Sequence, residues 1–177
     1  QQVLDCVVKV NSGRLPVVFG IGGNNTASVV SDLLTYDLTK VDAILSASPY
    51  YNKPTQDGIY AHYKSLAGAT DKAIIVYNVP GRTASNISAE TTVRLAKDFS
   101  NIVAVKEASG SMEQIMDIIQ NKPDGFLVIS GDDAITLPII SSGGDGVISV
   151  VGNAFPKQFS AMVKAAMEDN MTEARKY

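Results

Sequence analysis

The sequence predicts an α/β fold built on a parallel β-sheet, specifically a (β/α)8 TIM barrel of which about six βα units are present. Six short apolar runs recur along the 177 residues, and segments with the apolar spacing of amphipathic helices separate them. Residue types that favour helix N-termini precede several of these segments. Strands and helices that alternate in this way form parallel sheets through right-handed crossovers.

The elements follow one another regularly from the first residue. Residues 1–10 have helical spacing, and no strand precedes them. The predicted strands are Pro16–Gly20, Ala43–Ala47, Ala73–Tyr77, Ile102–Lys106, Phe126–Ser130 and Gly146–Val150. The intervening helices are indicated by apolar residues at helical spacing, such as Val29/Val30/Leu33/Leu34, Ile59/Tyr63/Leu66 and Ile115/Ile118/Ile119. The expected N-caps are Thr26, Ser88, Ser111 and Asp132. Residues 170–177 have the pattern of a further helix start.

The strand count leaves two architectures open. A closed (β/α)8 barrel has eight strands and typically about 250 residues. Six strands fit either an open doubly wound sheet or a barrel without its first two βα units and its C-terminal helices. We favour the barrel, because the polar residues described below make chemical sense at a barrel mouth. Residues 1–177 are therefore predicted to form a single partial (β/α)8-barrel domain.

Composition narrows the class of protein. Lys and Arg number 15 against 18 Asp and Glu, and no block of like charge indicates a nucleic-acid or anionic-membrane surface. The single cysteine, Cys6, fits a reducing compartment. No apolar stretch is long enough to span a bilayer, and no signal peptide opens the chain. These features predict a cytoplasmic protein with a small-molecule partner, and neither a nucleic acid nor a membrane.

A lysine at the end of a buried strand is the most informative feature. The strand beginning at Ile102 is apolar until Lys106. Burial disfavours a charged ammonium, and a neutral lysine amine can attack a carbonyl carbon to form a Schiff base. The alternative is that Lys106 ends the strand and extends its amine into solvent.

The preceding strand ends in Tyr77, which alternation places on the same inward face as Lys106 if both strands line a barrel. A phenol beside such a lysine can shuttle protons. Arg82 follows in the next loop, where its planar fork suits a carboxylate. Tyr50 and Tyr51 lie between two prolines after another strand, where one ring can enter the site and the other pack on a neighbouring subunit. Taken singly, each has a solvent-exposed or locally packed alternative.

Five motifs in order resemble one family. They are Ser-Pro49-Tyr-Tyr51-Asn, Tyr77-Asn-Val-Pro-Gly-Arg82-Thr, Val-Lys106-Glu-Ala-Ser-Gly, Ser-Gly131-Asp-Asp and Gly146-Val-Ile148-Ser-Val. Together they are similar to the dihydrodipicolinate synthase family of class I, pyruvate-dependent lyases and synthases, over essentially all 177 residues.

The resemblance implies a reaction and a set of roles. Lys106 would form a Schiff base with pyruvate and Tyr77 would donate and accept protons, while Tyr51 reaches into a partner subunit's relay. Arg82 would hold the carboxylate of aspartate semialdehyde, and the backbone at Gly131 and Ile148 would line the pyruvate pocket. The product would be the cyclic precursor of diaminopimelate and lysine. The family uses no metal or organic cofactor, and its members form homodimers or homotetramers.

Two alternatives remain at this point. N-acetylneuraminate lyase and 2-keto-3-deoxy sugar-acid aldolases share the lysine and the tyrosine, but a polyhydroxylated sugar calls for neutral groups rather than a cation at Arg82. The pair Asp132-Asp133 also favours the synthase over the sugar-acid lyases. A third reading is a fragment that only binds a pyruvate-like acid.

The chain departs from the family pattern in two respects. The Thr-Thr pair that binds the pyruvate carboxylate has no counterpart here, so the 177 residues alone are expected to be inactive. Gly22, Asn24 and Tyr50 resemble parts of the allosteric lysine pocket, but Ser28 stands where lysine-sensitive members carry a glutamate. Feedback inhibition by lysine is therefore expected to be weak or absent.

Two remaining features are expected to be structural. His62 is the only histidine and is predicted to lie at a surface or interface. Asp132 and Asp133 lack a third metal ligand, so helix capping by Asp132 is the better account.

Overall fold

A computed structural model describes the whole chain, residues 1–177. Its strands are β1 Val18–Gly20, β2 Ala43–Ala47, β3 Ala73–Asn78, β4 Ile102–Glu107, β5 Leu127–Ser130 and β6 Gly146–Val147. Its helices are α1 Gln2–Asn11, α2 Thr26–Thr35, α3 Gln56–Ala67, α4 Pro80–Thr83, α5 Ala89–Asp98, α6 Met112–Asn121, α7 Thr136–Ser141, α8 Pro156–Met167 and α9 Met171–Ala174. Short 3₁₀ turns cover Asp133–Ile135 and Val151–Asn153. No helix has both the length and the apolar character needed to cross a membrane.

The six strands form one parallel sheet in the order of the chain, β1-β2-β3-β4-β5-β6. A doubly wound sheet would reverse direction at a switch point, so this sequential order is that of a barrel. The protein is thus an α/β half-barrel, and all six predicted strands are confirmed. The last is shorter than predicted, because the chain leaves the sheet after Val147 and turns at Val151–Asn153.

The main core lies between the outer face of the sheet and the helices. Outward residues of the central strands are completely buried, and so are the apolar stripes of α3 and α6; they include Ile44, Ile74, Val76, Val105, Val128, Ile59, Leu66, Ile115 and Ile118. Burial of one such side chain contributes roughly 1.5–3 kcal/mol. The predicted helical stripes therefore attach the helices to one face of the sheet.

The inner face of the sheet is arranged in levels. Leu45, Ile75, Ala104 and Leu127 are successive register partners, and Ala47, Tyr77, Lys106 and Ile129 form the next level toward the carboxyl ends. Leu127 remains 41% exposed, although the interior of a closed barrel is filled with side chains. The inner face is therefore open to solvent at β5, whereas Ile75 and Ala104 on the neighbouring strands are buried.

Three of the four predicted N-caps are confirmed and one is wrong. Ser88 and Ser111 accept hydrogen bonds from the backbone N–H groups of Thr91 and Gln114, and Asp132 caps the turn before α7. The prediction of Thr26 as the cap of α2 was wrong. Asn25 is the N-cap, and its Oδ1 accepts hydrogen bonds from two backbone N–H groups of the first turn, which leaves the Thr26 hydroxyl free to bond elsewhere.

The prediction that His62 is a surface or interface residue was also wrong. His62 is only 2% exposed, because it follows Ile59 by three residues and shares the buried stripe of α3 with Tyr63 and Leu66. Its Nδ1 lies 2.8 Å from the hydroxyl oxygen of Thr26. Because the Thr26 hydroxyl is not used as a helix cap, it is free to form a hydrogen bond with one nitrogen of the buried imidazole.

Candidate active site

Lys106 and Tyr77 meet on the inner face at the carboxyl ends of β3 and β4. They are direct register partners, and Nζ of Lys106 lies 4.1 Å from the centroid of the Tyr77 ring. Lys106 is only 9% exposed, whereas Tyr77 is half-buried. The predicted contact between the amine and the aromatic ring is present in the structure.

A bulge in the sheet decides this pairing. Ile74 pairs with Ile102, but Ile75 pairs with Ala104, so Val103 is passed over. Without the extra residue, Tyr77 would face Val105, and Lys106 would point toward the helices with Asn78. The bulge is therefore what places the amine and the phenol on the same face.

Gly131 forms one wall against the lysine. Its N–H donates a hydrogen bond to the Glu107 carbonyl oxygen at 2.8 Å. A Cβ at this position would lie 3.0 Å from Cε of Lys106 and 2.8 Å from Cβ of Ala108. The absence of a side chain at Gly131 thus leaves room for the lysine stem.

Ile148 continues this wall from the end of β6. Its N–H donates to the Ser130 carbonyl oxygen at 2.9 Å, and its side chain is half-buried. Because Ser130 immediately precedes Gly131, the two predicted pocket residues are joined through one hydrogen bond.

Asp133 is a site residue that the sequence interpretation missed. Its Oδ2 accepts hydrogen bonds from the N–H groups of Val150 and Val151, at 3.1 and 3.0 Å. Burial opposes ionisation of Asp133, but the nearby Ser149 hydroxyl, these two N–H groups and the charge of Lys106 lower its pKa. The carboxylate thus anchors the loop that follows Ile148 and adds negative potential near the lysine. The second Asp of the Ser-Gly-Asp-Asp motif was the available signal for this role.

Arg82 projects from α4 just beyond Tyr77. Its side chain is exposed, and no carboxylate lies within ion-pair distance of it. The turn that carries it is held by Thr83, whose hydroxyl donates to the Ser85 carbonyl oxygen at 2.8 Å. Its charge is therefore not neutralised by a carboxylate of this chain.

The Tyr50-Tyr51 loop lies beside this turn. The Tyr51 N–H donates to the Thr83 carbonyl oxygen at 3.2 Å, and Tyr51 adopts a positive φ of 69°. Its ring is 83% exposed, so the structure presents it outward and does not pack it on Lys106. The role of Tyr51 across a subunit interface stays a prediction.

The residues predicted to form an allosteric pocket gather near the same loop. Asn52 donates from its side chain to the Asn24 carbonyl oxygen at 2.7 Å, which ties the loop after β1 to the tyrosine loop. Gly22 lies against the Ala47 backbone, where an added Cβ would be 3.4 Å from nitrogen. Tyr50 is 46% exposed, and Ser28 lies exposed in the first turn of α2. Gly22, Asn24 and Tyr50 thus lie on adjoining loops.

Fold and site together define a class: a (β/α) half-barrel with a buried lysine and an adjacent tyrosine at the carboxyl ends of its strands. Residues 1–177 match the dihydrodipicolinate synthetase family, and the chain belongs to this family. The 4-hydroxy-tetrahydrodipicolinate synthase of Flavobacterium psychrophilum is 58% identical over 172 residues, which are 97% of this chain and 59% of that protein.

Solved structures agree with the fold. The dihydrodipicolinate synthase of Aquifex aeolicus is 40% identical with a TM-score of 0.95, over 99% of this chain and 60% of that one. The chloride-inhibited enzyme of Acinetobacter baumannii, complexed with pyruvate, is 37% identical with a TM-score of 0.94, over 99% of this chain and 60% of that one. The chain thus spans about 59% of the length of the F. psychrophilum relative.

Proposed function

We propose that this chain carries the catalytic lysine of a 4-hydroxy-tetrahydrodipicolinate synthase, which condenses pyruvate with L-aspartate 4-semialdehyde. The observation that carries the proposal is the low exposure of Lys106 together with the 4.1 Å distance from its Nζ to the Tyr77 ring. The shared name of the most similar relatives supports the choice of reaction. The pathway would be the diaminopimelate route to lysine, in the cytoplasm.

The proposed chemistry uses the amine as a covalent nucleophile. The Lys106 amine attacks C2 of pyruvate, and loss of water from the carbinolamine yields an iminium. Removal of a proton from C3 gives an enamine, whose carbon attacks the aldehyde of the semialdehyde. The amino group of that substrate then attacks the imine carbon, closes the ring and releases Lys106. Tyr77 is the group placed to donate and accept the protons of imine formation.

The loops supply the remaining roles. Arg82, exposed and without a carboxylate partner, would bind the semialdehyde carboxylate. The backbone at Gly131 and Ile148 would line the pyruvate pocket, and Tyr51 would extend the proton relay into a second subunit of a homodimer or homotetramer. No cofactor takes part in this proposal.

The exposure of the inner face at β5 bears on the activity of the chain alone. Leu127 is 41% exposed at a position that lines the filled interior of a closed barrel, so this part of the face lacks the packing that a complete barrel supplies. We therefore expect the 177-residue chain to be inactive by itself, with activity in the complete protein in which these residues occur. Turnover of pyruvate by the isolated chain at the rate of the complete protein would contradict this.

Borohydride reduction in the presence of pyruvate tests the proposed nucleophile. We expect the complete protein to gain the mass of one reduced pyruvate adduct on Lys106, and the Lys106→Met variant to gain none. Lys72→Met is the matched control, because Lys72 lies at the opposite end of β3 and its Nζ donates to the Val41 carbonyl oxygen. Labelling of the Lys106→Met variant at another lysine would refute the assignment. Absence of labelling in the wild type would favour the alternative that the chain only binds a pyruvate-like acid.

The second substrate separates the synthase from the sugar-acid lyases. We expect consumption of pyruvate with aspartate semialdehyde and no cleavage of N-acetylneuraminate, because the cation at Arg82 suits a short carboxylate-bearing aldehyde. Efficient cleavage of a sugar acid would favour the lyase instead.

We further propose that lysine inhibits the protein weakly or not at all. Ser28 offers no carboxylate to the ammonium of a lysine bound near Gly22, Asn24 and Tyr50. Calorimetric titration with lysine is expected to give little heat, and Ser28→Glu is expected to strengthen binding. Tight binding to the wild type would contradict the proposal.

A further inference from the structure

A buried carboxylate lies directly behind the lysine. Glu107 follows Lys106 in β4, so its side chain points to the opposite face of the sheet, and it is completely buried. No Lys, Arg or His lies within ion-pair distance of it. A carboxylate in such a place is costly unless hydrogen bonds satisfy it, and an apolar side chain would fill the same space at no such cost.

Three neutral donors satisfy this carboxylate. The Ser109 N–H donates to Oε1 at 2.7 Å, and the side-chain amide of Gln114 donates to Oε2 at 3.1 Å. The amide nitrogen of Asn78 lies 3.2 and 3.0 Å from the two oxygens. The donors come from the loop after β4, from α6 and from the end of β3, so one side chain joins three elements.

Asn78 connects the carboxylate to the other half of the site. It is the register partner of Glu107, one position beyond the Tyr77–Lys106 pair. The hydrogen bonds of Asn78 and Glu107 therefore hold the last step of the β3–β4 pairing from the helix side, while the amine and the phenol meet on the inner side.

The same network holds both ends of the loop that carries Arg82. Asn78 begins this loop, and its Oδ1 accepts from the Ile87 N–H at 3.0 Å where the loop returns. Its amide also donates to Oδ1 of Asn86 at 2.9 Å, and the Asn86 amide donates to Oε1 of Gln114 at 2.8 Å.

We propose that Glu107 is a positioning residue, whose carboxylate locks the carboxyl ends of β3 and β4 so that the Tyr77 phenol stays in reach of the Lys106 amine. The role rests on the proposed Schiff-base function. Displacement of reacting groups by about 1 Å can cost on the order of 100-fold in rate, so a lock on this pair has a direct kinetic consequence. Glu107 itself touches no substrate.

The variant Glu107→Gln tests the lock with little change in volume. One amide oxygen can still accept from Ser109, but the new NH2 group faces the amide nitrogens of Asn78 and Gln114, so donors oppose donors. Adding Gln114→Glu restores an acceptor for the new NH2 group and also for the Asn86 amide. The double variant thus restores the hydrogen bond between position 107 and α6 with the charge moved to α6, while Asn78 can still donate to the remaining amide oxygen.

The measurements are made on the complete protein. We expect E107Q to slow borohydride-trapped imine formation by about 30-fold or more with little change in the pyruvate KM, and E107Q/Q114E to recover to within about threefold. Leu33→Ala, which opens a cavity under α2 away from β3 and β4, is the control for general loss of stability. It is expected to lower the melting temperature without slowing the trapping.

A crystal structure of E107Q supplies a readout that does not depend on pyruvate chemistry. We expect the separation of Lys106 Nζ from the Tyr77 ring centroid to lengthen from 4.1 Å, and to return in the double variant. The inference would be overturned if E107Q traps the imine at the wild-type rate, or if the distance from Lys106 Nζ to the Tyr77 ring centroid is unchanged in E107Q. It would also be overturned if the double variant traps the imine as slowly as E107Q. Absence of trapping in the wild type would refute the proposed function, while the crystallographic comparison would still decide whether Glu107 positions the pair.

Discussion

The buried imidazole of His62 predicts a measurable loss of stability in weak acid. Burial lowers the pKa of His62 from 6.5 to about 4. Between these two values the unfolded chain binds a proton at this histidine and the folded chain does not. The free energy of unfolding therefore rises with pH in this window, and the contribution of His62 is lost as the pH falls from about 6.5 to about 4.

The size of the effect follows from the two pKa values. One pKa unit corresponds to about 1.4 kcal/mol, so a pKa that moves from 6.5 to about 4 corresponds to roughly 3 kcal/mol. Because native domains are stable by only about 5–15 kcal/mol, this is a large share of the total.

Urea unfolding at a series of pH values from 4 to 7.5 measures this contribution. His62→Asn is the matched variant, because it removes the titrating ring and keeps a polar group near the Thr26 hydroxyl. The difference between the two proteins subtracts the carboxylates that titrate in both. We expect the wild type to lose roughly 3 kcal/mol more than the variant between pH 7 and pH 4. Parallel pH profiles would show that the folded protein protonates His62 freely, and would refute the reasoning.

Three further predictions concern the walls and turns of the site. Gly131→Ala places a Cβ 3.0 Å from Cε of Lys106, so we expect about a tenfold or greater loss of imine trapping and a loss of about 1–3 kcal/mol in thermal unfolding. Asp133→Ala removes the acceptor for the Val150 and Val151 N–H groups and is expected to weaken pyruvate binding about tenfold. Asp133→Asn retains an acceptor and is expected to keep most of the affinity for pyruvate. Equal losses of affinity in the two variants, measured by titration with pyruvate, would contradict this. Ala84 has a φ of 57°, so Ala84→Gly is expected to stabilise the protein by about 0.5 kcal/mol in urea, and a loss of stability would count against strain at this turn.

Much of the fold was predictable because its determinants are local. The apolar runs of β2, β3 and β4 and the stripe of α6 each follow from the spacing of neighbouring residues, and Ser88 and Ser111 cap helices through bonds within one turn. Thr26 was misread because Asn25, one residue earlier, is an equally good cap, and only the contact of Thr26 with His62 distinguishes the two.

The polar residues behind the site were not predictable in the same way. Glu107 follows Lys106, and Asp133 follows Asp132. From their sequence neighbours alone, both side chains would be predicted to be solvent-exposed acids. Their roles depend on donors from distant segments: Asn78 and Gln114 for Glu107, and Val150 for Asp133. The spacing of residues along the chain does not predict which of these segments contact each other in the folded protein.

By itself, the sequence determined the parallel α/β architecture, the positions of the strands, and the placement of an amine and a phenol at two neighbouring strand ends. These features follow from the spacing of apolar residues, which is set within a few residues of chain. Alternation predicted that the two groups share a face, but only the tertiary structure decided the register that makes them direct partners. The bulge at Val103 shifts the pairing of β4 by one residue, and since side chains alternate across a sheet, this shift turns Lys106 toward Tyr77 and Glu107 toward the helices. The same long-range packing buried His62 and gave Glu107 its three donors.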